Sequence, residues 1–154
     1  MRFSAVRPIF GLVLGLLVVL PACGSKPVPA SAAGQAPQPA YAPTMTIERF
    51  MRAVNQRDLN TMARLFGTRE GPVAQIWASK EVDERMRVLS NVLRHNDYRI
   101  GQEDIVPGRR GEATQFTVNM TVGERVVAVP FVLVRSTPES GWLIESIAID
   151  KVTR

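Results

Sequence analysis

Thiols, imidazoles and runs of one charge are what this sequence has least of. It holds one cysteine and one histidine in 154 residues. A lone Cys23 closes no disulfide within the chain. With a single His95 and no carboxylates clustered at ligand spacing, no closed metal site can be built, and none is expected. No glycine-rich phosphate loop, serine-centred elbow or dinucleotide fingerprint occurs, so no cofactor is expected either. Charges of both signs are interleaved, as in Glu81-Val82-Asp83-Glu84-Arg85-Met86-Arg87, and Arg109-Arg110 is the only adjacent basic pair. That pattern reads as solvated faces and excludes a nucleic-acid stripe. The formal charge is +5, and without Arg2 and Arg7 the remaining 17 basic and 14 acidic residues leave +3.

What the chain does have is an apolar start. Arg2 and Arg7 precede residues 9–20, which carry no charged or strongly polar side chain. Twelve such residues make about 18 Å of helix, too short for a hydrocarbon core of roughly 30 Å. The length suits the apolar part of a secretory leader, expected over residues 1–22. The run Leu20-Pro21-Ala22-Cys23-Gly24 resembles a bacterial lipoprotein signal, with Leu20 at minus three, Ala22 at minus one and Cys23 as the first mature residue. Pro21 is an unusual occupant of the place between them. The resemblance implies a diacylglyceryl group on the Cys23 thiol, cleavage before it and a fatty acyl chain on the new amine. Gly24 stands where an aspartate would signal inner-membrane retention, which implies an outer-membrane lipoprotein facing the periplasm. The competing reading is an ordinary cleaved signal with an incidental cysteine.

Residues 23–43 read as a tether. Five prolines, many small residues and one large side chain, Tyr41, cannot bury enough surface to offset ordering entropy. Extended, such a segment reaches about 60 Å.

Residues 44–154 are long enough for one folded domain. Thr44 and Thr46 are candidate helix caps, and Ile47, Phe50, Met51 and Val54 recur at helical spacing. Asp58 reads as a second cap ahead of Leu59, Met62, Leu65 and Phe66, with Gly67 suited to the left-handed position that ends a helix. Residues 68–72 read as a loop. Val73, Ile76 and Trp77 fit a short helix or a strand. Ser79 is the expected cap of a helix carrying Val82, Met86, Leu89, Val92 and Leu93 on one face and ending near His95. The period then becomes twofold. Tyr98, Ile100 and Gln102 alternate with Arg99, Gly101 and Glu103, and Phe116, Val118, Met120 and Val122 with Gln115, Thr117, Asn119 and Thr121. Residues 125–135 form a strand in which Pro130 implies an edge or a bulge, and residues 142–152 a last strand. Helices first and then a four-strand meander predict an α+β domain, its helices packed on one face of a curved antiparallel sheet.

The opening run from Ile47 to Phe66, with its apolar first helix, Asp58 cap and closing Leu65-Phe66, is similar to nuclear transport factor 2-like (SnoaL-like, cystatin-like cone) domains. So is the closing Gly141-Trp142-Leu143-Ile144-Glu145-Ser146-Ile147. The resemblance implies a cone that in enzymatic members holds acid–base residues. The candidates by type are His95, Asp97, Tyr98, Asp104 and Asp150. Each also has a plainer reading: His95 as a helix-end cap, Asp97 as turn chemistry, Tyr98 as core, Asp104 and Asp150 as solvated strand ends. Trp77, Met86, Tyr98, Met120, Phe131 and Trp142 are candidates to line an apolar pocket at the cone mouth, against ordinary core packing. The expectation is a non-catalytic, membrane-anchored domain that binds a partner protein or a small apolar ligand. The alternative is an isomerase, dehydratase or cyclase acting on an apolar substrate in the cone. The resemblance also implies a homodimer through the sheet face bearing Gln115, Thr117, Asn119 and Thr121.

Overall fold

The computed structural model describes residues 42–153. The expectations on the leader, on Cys23 and on nearly all of the tether lie outside the described residues. Helix α1, Pro43–Gln56, opens on proline, whose missing N–H would have had no helical partner there. Neither threonine caps it: Ala42 holds the cap position and makes no side-chain bond. Thr46 is fully buried instead, and its hydroxyl donates to the Trp142 carbonyl at 3.1 Å. That bond fastens the first turn of α1 to the last strand. Ile47, Phe50, Met51 and Val54 form the buried stripe that their spacing predicts.

The second helix does not end in the left-handed turn expected at Gly67 but in extended backbone at Phe66, and the left-handed residue is Arg57 at the end of α1, with φ 55° and ψ 31°. Asp58 then caps α2, Leu59–Leu65, accepting from the Thr61 N–H at 3.0 Å. Gly67 serves a different purpose. A Cβ there would come within 2.8 Å of Pro72 Cα and Leu143 Cδ1, and closer still to the Gly71 carbonyl oxygen. Only glycine lets β1, Gly67–Thr68, and β2, Gly71–Pro72, pair as a tight hairpin where a plain loop was expected. Val73–Ile76 is a short helix, α3. Helix α4, Ser79–Val92, has Ala78 in the cap position, so Ser79 is its first residue and not its cap. It stops at Val92, which leaves His95 beyond the helix.

Strands β3, Asp97–Ile105, β4, Ala113–Val122, β5, Arg125–Arg135, and β6, Trp142–Ile147, pair antiparallel in that order as the expected meander. Phe116, Val118, Met120, Val129, Phe131, Leu133 and Ile144 share one face and are buried against the stripes of α1 and α4. Each large apolar side chain so buried contributes about 1.5–3 kcal/mol. The architecture is α+β, with the helices on one face of a four-stranded antiparallel sheet. Pro130 lies in a central strand, not at an edge of the sheet. It sits just where β6 has ended, and its carbonyl accepts from the Ala148 N–H at 3.0 Å. The missing N–H therefore faces no ladder partner. The last strand is shorter than expected, and a one-turn helix, α5, Asp150–Thr153, closes the described chain.

Two bulges break the ladders, and both matter for the surface. Between Ile100 and Glu103, β3 has one residue more than β4. Between Ile144 and Ser146, β6 has one more than β5, and the extra residue is Glu145. Each insertion inverts the alternation beyond it.

Candidate functional site

Helix α4 was expected to bury one apolar face, and part of that face is left as a wall. Phe66, Trp77, Met86, Val88, Leu89 and Ile149, with Glu84 and Arg85, line a groove of about 380 Å³. Val88 is 56% exposed, an apolar side chain left uncovered by the described elements. Trp77 is oriented by charge. The Arg85 guanidinium lies 4.5 Å from its ring centroid, and Glu81, one helical turn earlier, holds Arg85 at 2.8 Å. Phe66 rests on Phe50 of the core, ring centroids 6.3 Å apart.

A second depression, of about 430 Å³, opens where β3 ends and β6 begins, lined among others by Glu103, Ile105, Arg110, Thr114, Arg135 and Trp142. Its chemistry is polar. Thr114 is buried and donates to Glu103 Oε1 at 2.7 Å, with the Asp104 carbonyl at 3.2 Å as its other acceptor. Arg135 stacks its guanidinium 5.2 Å from the Trp142 ring centroid.

The six residues expected to line one pocket do not converge. Trp77 and Met86 belong to the α4 groove, Trp142 to the polar depression, and Tyr98 to a smaller hollow with Asp97, Arg99 and Asn119. Met120 and Phe131 are fully buried in the core. Their volume fills the space between helices and sheet instead of lining it.

The acid–base candidates are also dispersed. His95 follows α4, where Asn55 of α1 receives its backbone N–H at 3.3 Å and donates to its carbonyl at 3.1 Å. Its Nδ1 is 2.9 Å from the Leu93 carbonyl oxygen, so Nδ1 carries the proton. Nε2 then accepts from the Asn55 amide at 3.2 Å. Both ring nitrogens are thus engaged, Nδ1 with the end of α4 and Nε2 with α1. Tyr98 meets the imidazole edge to face at 5.2 Å. Burial first, and then the negative charge of Glu48, push its hydroxyl above the usual range, with Arg52 opposing. It stays protonated at neutral pH. Asp97 pairs with Thr121 at the start of β3 and points away from the core face. Asp104 pairs with Gln115, and Asp150 starts α5. Among the described residues no three His, Cys, Asp or Glu side chains gather as a metal site would require. No described helix is long and apolar enough to cross a membrane.

Sequence reasoning missed Glu103, Arg110, Thr114 and Arg135 in the polar depression, and Phe66, Val88, Leu89 and Ile149 in the groove. The signal for Glu103 was Gly101, since a glycine inside a strand pattern marks a bulge. A Cβ at Gly101 would lie 2.8 Å from the Thr117 carbonyl oxygen, which the bulge brings close.

No protein-family model and no curated protein matches the chain. Among solved structures, it is similar to a de novo designed protein with a curved β-sheet. That match has a TM-score of 0.43 and 11% identity, covering 68% of this chain and 94% of the designed one. It is also similar to an NTF2-like protein of unknown function from Cytophaga hutchinsonii ATCC 33406, with a TM-score of 0.43 and 6% identity, covering 76% of this chain and 99% of that one.

Proposed function

We propose that this chain is a membrane-anchored lipoprotein of the bacterial envelope, acylated at Cys23, whose nuclear transport factor 2-like domain binds a small apolar ligand without catalysis. A partner protein presenting an apolar side chain fits the same reading. The α4 groove carries it. At about 380 Å³ it falls in the size class of small-molecule sites, roughly 300–1,000 Å³, and apart from Glu84 and Arg85 its walls are side chains of Phe, Trp, Met, Val, Leu and Ile. Such a site attracts apolar groups at about 0.8 kcal/mol per buried methylene. The lipobox and the proline-rich tether support the envelope location: outer membrane, with the domain in the periplasm.

The chemistry of the catalytic candidates supports a binder over an isomerase, dehydratase or cyclase. The His95 imidazole is engaged at both nitrogens, and Tyr98 holds its proton. A general acid of the rival reading needs a carboxyl with a raised pKa. Asp97, Asp104 and Asp150 lie at separate places on the sheet and the closing helix, so among the described residues no carboxyl stands beside Tyr98 inside the core. For self-association through the outer sheet face, the favouring observation is Val126, 70% exposed on β5 next to Thr121 of β4.

Titration of the full-length chain with 1-anilinonaphthalene-8-sulfonate, followed by quenching of Trp77 in a Trp142→Phe background, tests the groove. Val88→Asp and Leu89→Asp should each abolish the signal while the circular dichroism spectrum is kept. Unchanged quenching in both sinks the groove reading. Membrane fractionation of Cys23→Ser tests the anchor. The variant should leave the membrane fraction or accumulate unprocessed, and wild-type behaviour would overturn the lipoprotein reading.

A further inference from the structure

The geometry points to a second binding site in the polar depression, and we propose that its ligand is a small zwitterion carrying both an ammonium and a carboxylate, as a short peptide does. The observation begins with the β3 bulge. Simple alternation from Tyr98 and Ile100 would turn Gln102 toward the helix-covered face and Glu103 away from it. The extra residue reverses this: Glu103 pairs with Phe116 and Ile105 with Thr114, so both share the face of the core. The bulge thus brings a carboxylate beside the buried Thr114 hydroxyl, which fixes one of its oxygens at 2.7 Å. The second oxygen is left for a ligand.

Positive charge faces the same space from two other elements. Arg135, the last residue of β5, has its guanidinium over the Trp142 ring, a contact that orients the charge without neutralising it. The β3–β4 turn divides its two arginines. Arg109 is committed to Glu145 through two hydrogen bonds, while Arg110 lines the depression. Among the described residues, Glu103, Arg110 and Arg135 take part in no ion pair. Opposite charges around one cleft that do not pair with each other complement a molecule bearing both signs. The volume of about 430 Å³ has room for a dipeptide, with Ile105, 63% exposed, and Trp142 as apolar contacts for its body. This site is independent of the α4 groove, and either can fail without the other.

Calorimetric titration of the detergent-solubilised full-length chain with alanylalanine tests the assignment, alongside N-acetyl-alanylalanine, which lacks the ammonium, and alanylalanine amide, which lacks the carboxylate. The wild type should bind the free dipeptide and lose about tenfold or more in affinity for either blocked form, the scale of one hydrogen bond to a charged group. Glu103→Gln keeps an acceptor for Thr114, so it should erase the preference for the free amine and keep that for the carboxylate. Arg135→Gln should do the reverse. A merely structural role would weaken all three compounds alike, and that result overturns the proposal. So does equal binding of free and blocked dipeptides, or no binding of alanylalanine to the wild type.

Discussion

Arg109 grips Glu145 with both terminal nitrogens, at 2.6 and 3.0 Å, and so fastens the β3–β4 turn to the bulge of β6. The pair joins segments far apart in the chain, and its two-pronged geometry matches guanidinium to carboxylate. Hydrogen bonding to Glu145 raises the Arg109 pKa further above its already high value, so the arginine stays charged at any working pH. About a third of each side chain is still in water, which limits the gain. A double-mutant cycle with Arg109→Gln and Glu145→Gln, read by urea unfolding, should give a coupling of about 1 kcal/mol that shrinks in high salt. A coupling of zero would mean that the turn is held by its backbone bonds alone.

Asp58 provides a pH-dependent test of the α2 cap. Hydrogen bonds from Thr61 hold its carboxyl below the ordinary value of 3.8. A depressed folded pKa means stability that is present above the unfolded value and lost as pH falls through the folded one. Asp58→Ala should cost about 1 kcal/mol at neutral pH, whereas Asp58→Asn keeps the cap and costs much less. The advantage of wild type over Asp58→Ala should therefore narrow as the pH drops below 3.8, while that of Asp58→Asn over Asp58→Ala stays level. Parallel curves for wild type and Asp58→Asn would contradict the assignment.

Periodicity made the core legible, because Ile47, Phe50, Met51, Val54, Phe116, Val118 and Met120 each recur at the spacing of their own element. Asp58 was legible for a local reason, as one side chain and the N–H three residues on complete its interaction. What escaped was set by contacts between distant segments. Gly67 looks like a helix end until Leu143 and the Gly71 carbonyl come beside it. Glu103 reads as outward until Thr117 of the next strand shows the extra residue opposite. The one-pocket expectation failed on volume: Met120 and Phe131 occupy the space that a cavity would have needed. Cys23 and the tether are sequence inferences alone.

Two glycines should respond to substitution for different reasons. At Gly67 a new Cβ meets backbone and Leu143, so Gly67→Ala should destabilise by about 2 kcal/mol, as overpacking does. At Gly108 nothing lies within 4 Å, but φ is +76°, so Gly108→Ala should cost about 1 kcal/mol of backbone strain. Asparagine tolerates the left-handed region and cannot shrink its Cβ. Asn should therefore restore most of the loss at position 108 and none at 67, as read by thermal unfolding.

Arg57 is the reverse case, a side chain where glycine would serve better. Its backbone N–H donates to Val54 and its carbonyl accepts from Leu59, so the left-handed turn between α1 and α2 is held by main-chain bonds that any residue can make. The guanidinium belongs to no ion pair among the described residues. A left-handed conformation costs a non-glycine residue about 1 kcal/mol, partly offset in glycine by the greater freedom of the unfolded chain. Arg57→Gly should therefore stabilise the domain by about 0.5 kcal/mol, Arg57→Asn by less, and the β-branched Arg57→Val should destabilise it. Chemical denaturation of the three variants checks that order. If Arg57→Gly proves less stable than wild type, the arginine side chain makes a contribution that outweighs its strained backbone.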